Sequence, residues 1–270
     1  MMSPDIKVFT LFSSSKGNCT YIKYGSDEIL IDAGASATAI EASLSSLGSS
    51  LSRIKGILVT HEHSDHVKGL EVISKRFHVP VYMSEKSEAL VSISAPTAAD
   101  NAVLIDSGDE LALGDIGVKV FETPHDSVKS LCFRIEMGNK TLGFATDLGH
   151  VSDSVQDAVF GADGVIIESN HDEAMLKSGP YPYYLKERIL GKNGHLSNSS
   201  CAALLPALVR CGAKGIVLAH LSENNNTPFL AYRQSAEMLR SYGVKLSGEE
   251  FAADACLRVA EVKSPTELFI

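Results

Sequence analysis

Short apolar runs alternate along this chain with stretches whose apolar positions recur every three to four residues. The runs predict strands at 6–12, 20–24, 28–32, 56–60, 80–83, 118–122, 131–136, 141–145, 164–168, 215–219 and 256–259. The helical spacing predicts helices at 36–47, 67–77, 85–92, 151–160, 182–190, 199–211 and 228–241. The last opens with Thr227 as cap and Pro228 in the first turn, where the missing N–H of proline costs nothing. Strands interleaved with helices predict an α/β sheet architecture. No linker-like or low-complexity stretch divides the chain, so 1–270 reads as a single domain.

Two internal echoes sharpen that picture. Gly56-Ile57-Leu58-Val59-Thr60-His61 resembles Gly215-Ile216-Val217-Leu218-Ala219-His220, each a fully apolar run ending in histidine. Leu30-Ile31-Asp32-Ala33-Gly34 resembles Ala145-Thr146-Asp147-Leu148-Gly149. A duplicated unit folded face to face brings these four strand ends to one edge, where open α/β sheets put their ligands.

Composition narrows the class. With 270 residues and 44% hydrophobic residues, the chain can bury a substantial core. No run approaches the roughly 20 apolar residues that span a bilayer, and Asp5 and Lys7 interrupt the start of the chain where a secretion signal would be apolar. Five scattered cysteines without a Cys-x-x-Cys pair argue for a reduced, cytoplasmic compartment. A net charge of −9 argues against gripping nucleic acid by bulk charge. It leaves open an enzyme that draws phosphates to a local cationic site.

The candidate chemistry is concentrated in His61-Glu62-His63-Ser64-Asp65-His66. In an extended segment His61 and His63 point the same way and can share one ion. As the chain turns into a helix, Asp65 and His66 swing toward a second. Imidazoles suit zinc, manganese and iron, and carboxylates favour the harder ions. The competing structural reading is a polar turn with Ser64 and Asp65 capping a helix. Four residues do not close two sites, and His125, Asp147 and His220, each expected at a strand end, are the candidates to complete them.

Taken in order, Asp32, His61/His63/Asp65/His66, His125, Asp147 and His220 match the motif series of the metallo-β-lactamase fold superfamily, which the chain resembles from Phe9 to about Val259. The resemblance implies a four-layer αβ/βα sandwich, two mixed sheets flanked by helices, with two divalent ions at one edge. It assigns His61, His63 and His125 to the first ion and Asp65, His66 and His220 to the second. Asp147 is the bridge, and Asp32 and Asp147 orient the attacking water. Flavodiiron members typically carry Glu where this chain has His63, which favours hydrolysis over oxygen chemistry. The β-lactamases themselves usually carry Cys where it has Asp147.

Four further segments, Phe12-Ser13-Ser14-Ser15-Lys16-Gly17-Asn18-Cys19, Glu168-Ser169-Asn170-His171-Asp172, Gly194-His195-Leu196-Ser197-Asn198 and His220-Leu221-Ser222-Glu223-Asn224-Asn225, resemble the YycJ/WalJ (VicX) family of bacterial proteins. That resemblance implies a 5′→3′ exonuclease on double-stranded DNA, a role in DNA repair, and the neighbourhood of a cell-wall two-component system.

On the substrate side, Gly194-His195-Leu196-Ser197 precedes the helix at 199–211, with Ser197 or Asn198 as cap. A helix start attracts anions, and His195 beside it can donate to a phosphate or protonate a leaving oxygen. His171 can contact His195, contact substrate, or sit in a surface loop. In the loop 13–18, Ser14, Ser15, Lys16 and Asn18 can hold a phosphate or form an ordinary hairpin turn. Tyr181, Tyr183, Tyr184, Lys186 and Arg188 are read as an aromatic helix packed on the core, with base stacking as the alternative. The extra nucleic-acid clamp domain of larger nucleases is missing between Asp147 and His220. The expectation is a phosphodiesterase of two metal ions acting on DNA rather than RNA, without a membrane and with no stable protein partner to infer. An RNA-processing nuclease, a thioester, lactone or cyclic-nucleotide hydrolase, and a metal-stabilised regulator of a two-component system are the alternatives.

Overall fold

The computed structural model describes residues 4–247 and 253–270. One sheet contains β1 (Ile6–Ser14), β2 (Gly17–Tyr24), β3 (Asp27–Ile31), β4 (Ile54–Leu58), β5 (Val81–Met83) and β6 (Ala102–Leu104) in that order. The other runs β7 (Glu110–Leu113), β8 (Ile116–Thr123), β9 (Ser130–Met137), β10 (Lys140–Ala145), β11 (Gly164–Glu168), β12 (Gly215–Ala219) and β13 (Cys256–Val259). A last strand, β14 (Thr266–Leu268), returns to pair with β1 at the edge of the first sheet.

Period-two alternation explains the layering. In β3, Ile29 and Ile31 face the space between the sheets, and Leu30 points to the other side. In β11, Ile166 faces inward, and Val165 and Ile167 point outward. A strand apolar on both faces must be covered on both. Helices α1 (Ala37–Ser46), α2 (Ser64–Val67), α3 (Leu70–Phe77), α4 (Glu85–Ser94) and α5 (Pro96–Asp100) follow in the first half. Ile40, Leu44, Leu70, Ile73 and Val91 from this group cover the outer face of the first sheet. The second half adds α6 (Asp153–Val159), α7 (Glu173–Ser178), α8 (Tyr183–Leu190), α9 (Asn198–Arg210) and α10 (Pro228–Ser241). There Val155, Val159, Leu205, Leu208, Ala236 and Leu239 cover the second sheet. Three apolar clusters thus fill the three spaces of a four-layer αβ/βα sandwich, the fold class the sequence predicts.

The two sheets repeat one plan. Read from β14 in the first and from β7 in the second, three antiparallel pairings are followed by three parallel ones. Asp32 and Asp147, which follow β3 and β10, therefore occupy equivalent places. The echo of His61 with His220 is offset by one strand, because β4 adjoins β3 whereas β11 lies between β10 and β12. The positional counterpart of the β4 end is the β11 end, at Glu168.

The helix expected at 67–77 is two helices. Gly69 lies between α2 and α3, its N–H donates to the Ala33 carbonyl at 2.7 Å, and a Cβ there would come within 2.5 Å of the Ala35 carbonyl. That diverted hydrogen bond stops one helix and starts another.

Candidate metal centre and its cavity

Three side chains of the site sit in the left-handed backbone region. Asp32 (φ 61°) follows β3, Asp147 (φ 57°) follows β10 and His220 (φ 55°) follows β12. Non-glycine residues adopt this region at a cost of about 1–3 kcal/mol, and such outliers cluster at functional sites. The turn lets the chain leave the strand while its side chain stays at the sheet edge. His61 and His63 leave β4 on an extended segment, and Asp65 and His66 lie in α2. His125 follows β8.

The structure brings all seven proposed metal donors together. Ligand atoms of His61, His63 and His125 lie within 4.8 Å of one another, and so do those of Asp65, His66 and His220. Asp147 joins the two groups through His61 and His66. His61 Nε2 and His63 Nδ1 are 2.9 Å apart, and His66 Nε2 is 3.4 Å from both Asp65 Oδ2 and Asp147 Oδ2. His125 Nε2, Asp147 Oδ2 and His220 Nε2 are buried without a hydrogen-bond partner among the described residues. Buried polar atoms are rarely left so. Each orphan belongs to one of the donor groups above (His125 to the first, His220 to the second, Asp147 to the one that links them) and so fits a divalent cation, which the imidazole and carboxylate donors suit. Burial pushes His61 and His125 below the ordinary histidine range, which favours the neutral, coordinating form. Burial opposes charge on His66 and His220 too, but the carboxylates facing them outweigh it and raise both.

A second layer fixes these donors. His66 Nδ1 and Asp32 Oδ2 are 2.8 Å apart, and Thr60 donates to the same carboxylate through its N–H (2.8 Å) and hydroxyl (2.9 Å). Asp32 is thus engaged by Thr60 and His66 and orients a donor. His125 Nδ1 is 3.1 Å from the Gly194 carbonyl. Glu62 accepts from the Val128 N–H at 3.1 Å, which ties the histidine segment to the loop after His125.

Glu168 has no assigned role in the sequence reading. It is fully buried, and its Oε1 lies 2.8 Å from both His220 Nδ1 and His195 Nδ1. Its Oε2 accepts from the N–H groups of Leu148 and Leu196 at 3.1 and 2.9 Å. Burial works against its charge, but His195 and the hydrogen bonds prevail and hold its carboxyl below the usual range. Burial likewise opposes a charged His195, and Glu168 outweighs it, raising that imidazole above its ordinary value. His195 Nδ1 is also 3.8 Å from Asp147. The signal that could have revealed Glu168 was its place at the end of a fully apolar run.

The other proposed substrate contacts divide. Ser15 and His195 line a cavity of about 220 Å³ over the donors, together with Asn170, Tyr181, Arg188 and Ser222. Ser14 and Asn18 are engaged in the fold. Asn18 Oδ1 accepts from the Ser14 N–H (3.2 Å), and Asn18 Nδ2 lies 3.2 Å from Asp65 Oδ2 and 3.1 Å from His66 Nε2. Lys16 pairs with Glu223 at the rim. Neighbouring Ser13 accepts from the His220 N–H at 2.7 Å, so this loop is a brace for the donors. Ser197 caps α9 by accepting from the Ser200 N–H, and Glu173 comes within 2.8 Å of Ser199 there. A carboxylate already faces that helix start, which works against a phosphate. His171 is buried rather than in a surface loop, is not hydrogen-bonded to His195, and is lowered to about 4 chiefly by burial. The aromatic segment does not pack on the core as expected: α8 buries no residue, and Tyr183 and Tyr184 are 76% and 74% exposed. With only Leu185 and Ile189 of its apolar residues turned to the cavity, the helix forms a lip.

Comparison with known proteins agrees with this geometry. The family model described as "Beta-lactamase superfamily domain" matches residues 27–221. The chain is 36% identical over 259 residues to "Exodeoxyribonuclease YycJ" of Bacillus anthracis, covering 96% of each. It is 33% identical over 263 residues to "Exodeoxyribonuclease WalJ" of Streptococcus pneumoniae serotype 2, covering 95% of this chain and 98% of that protein. Among solved structures, the metallo-β-lactamase fold protein YhfI from Bacillus subtilis superposes with a TM-score of 0.73 at 14% identity, over 97% of this chain and 99% of that one. The short form of human tRNase Z gives 0.63 at 19% identity, over 98% and 100%. The chain belongs to the metallo-β-lactamase superfamily and, within it, to the YycJ/WalJ family, and it is a metal-dependent hydrolase.

Proposed function

We propose that this hydrolase is a nuclease of two divalent ions (zinc, manganese or iron) that removes nucleotides from double-stranded DNA in the 5′→3′ direction, in the service of DNA repair. The first ion is assigned to His61, His63 and His125, the second to Asp65, His66 and His220, and Asp147 to the bridge between them. Two relatives covering nearly the whole chain carry the name exodeoxyribonuclease. The observation that carries the reading is the shared carboxylate of Glu168, 2.8 Å from both His195 and His220. It hangs a proton donor directly beside the donor clusters. An alkoxide leaving from phosphorus needs that proton; a thiolate leaving from a thioester does not.

Bound at these residues, divalent ions supply an activated water at neutral pH and offset charge on the phosphate oxygens. Asp32 and Glu168 hold His66 and His220 by Nδ1 and so present Nε2 outward. His195, whose protonated form Glu168 favours, is the group that donates from Nε2 to the departing oxygen. Among the described residues no separate clamp domain covers the cavity, which leaves it accessible to strand ends. All five cysteines are free, which suits the cytoplasm, and among the described residues no helix is long and apolar enough to cross a membrane.

The test is release of nucleotides from end-labelled duplex DNA and from RNA of equal sequence, with added manganese or zinc and with Asp65→Ala as control. Cleavage of DNA from the 5′ end by the native chain alone is expected. Hydrolysis of neither polymer would overturn the nuclease reading, and preference for RNA would move it to RNA processing.

A further inference from the structure

Among the described residues lining the cavity, Arg188 is the one lysine or arginine. Every other ionisable group there is a proposed donor, His195, Asp126 or the Tyr181 phenol, so a second phosphate entering beside the reacting one meets no other permanent cation. Arg188 is presented for that task. Its Nε donates to Asp126, which follows the donor His125 in the chain and lies 3.4 Å from His125 Nε2. That one bond fixes the guanidinium near the donors. Among the described residues no other acceptor bonds it, so four of its five N–H donors stay available in the fork that matches phosphate.

The helix carrying Arg188 is rigidly joined to the proton donor. The His195 N–H donates to the Ile189 carbonyl at 3.0 Å, and the Gly194 N–H to Gly191 at 2.9 Å. A Cβ on Gly194 would sit 2.2 Å from the Ile189 carbonyl and 2.4 Å from that of Arg188, so only glycine allows this approach. Across the cavity, Asn224 donates to the Tyr181 hydroxyl at 2.8 Å and ties the start of α8 to the loop after His220. Residues 177–192 carry four basic and one acidic side chain, a local excess of +3 in a chain of net −9.

We propose that Arg188 binds the terminal phosphomonoester of the strand end and thereby sets the preference for phosphorylated ends. The proposal rests on the nuclease reading. A phosphate dianion held at Arg188 while the adjoining phosphodiester lies at the donors places the scissile bond one nucleotide in, under His195. Asp126 is the stand-in acceptor that keeps the guanidinium aimed until the phosphate arrives.

The test measures binding of the metal-loaded protein to short duplex DNA with hydrolysis-resistant phosphorothioate linkages, bearing either a 5′-phosphate or a 5′-hydroxyl. Cleavage of the unmodified duplexes is measured in parallel. The native protein is expected to bind the phosphorylated end about tenfold more tightly or better, the scale of one charge-assisted contact. Arg188→Gln brings the ratio close to one, and Arg188→Lys falls between. Because α8 buries no residue, both variants are expected to keep the native melting temperature. A native ratio near one, or an unchanged ratio in Arg188→Gln, overturns the proposal even where DNA is cleaved. Absence of cleavage by the native protein, with the binding ratio intact, strikes the nuclease reading instead.

Discussion

Replacing Glu168 by Gln keeps the shape of the buried side chain and changes its hydrogen bonding. One end of the new amide must still accept from the N–H groups of Leu148 and Leu196. The other end then presents NH₂ to His195 and His220, both 2.8 Å away through Nδ1. Each ring must turn its lone pair to Nδ1 and its proton to Nε2. His220 then loses its donor atom, and His195 is no longer held as a cation. Two hydrogen bonds to a buried charge are lost, each about 1.5–3 kcal/mol, or roughly 3–6 kcal/mol together. At about 1.4 kcal/mol per tenfold, kcat falls by about 10²–10⁴. The assay is nucleotide release under metal saturation, with metal content measured by mass spectrometry. In a His195→Ala background the same change costs the His220 half alone, about 10–100-fold, because the two residues act as a unit. Glu168→Gln retaining more than about a tenth of native kcat, or a double variant at the full product of the two single losses, would refute the reasoning.

Three further outcomes follow from the geometry. A Cβ on Gly34 would lie 1.6 Å from the Asp65 carbonyl oxygen and 2.6 Å from the Asn18 nitrogen, so Gly34→Ala is expected to displace Asp65, cost about 1–3 kcal/mol in denaturant unfolding and lower metal content. The Asp115 N–H and Lys55 hold the Asp27 carboxyl below its ordinary value and so join β3 to the turn between β7 and β8. A depressed folded value adds stability that is full above the ordinary carboxylate pKa of about 4 and is lost as pH falls through the folded value; Asp27→Asn should therefore lower the melting temperature at pH 7, and by progressively less as pH falls below about 4. Chelation should remove about 2.7 kcal/mol of stability where metal stood at a hundredfold its Kd, and so lower the melting temperature in a way that depends on metal concentration; a melt unaffected by chelator would contradict the orphaned donors.

The site was legible where chemistry is local or where a strand announces its end. His61, His63, Asp65 and His66 lie within six positions, and Asp32, Asp147 and His220 each close an apolar run. Glu168 closes such a run too, but its meaning lies in His195 and His220, 27 and 52 positions away. The strands β6, β7 and β14 are three or four residues long and half polar or exposed, so no periodicity marked them. The sequence of α8 is amphipathic enough to read as core-packed. Its exposure arises because α6, α9 and α10 already cover the second sheet, leaving α8 to border the cavity.

Anomalous diffraction from crystals of the manganese-loaded protein tests the account most directly. Two peaks a few ångströms apart are predicted, one within about 2–2.3 Å of His61, His63 and His125, the other of Asp65, His66 and His220, with Asp147 reaching both. A single peak outside these side chains, or none, would contradict it.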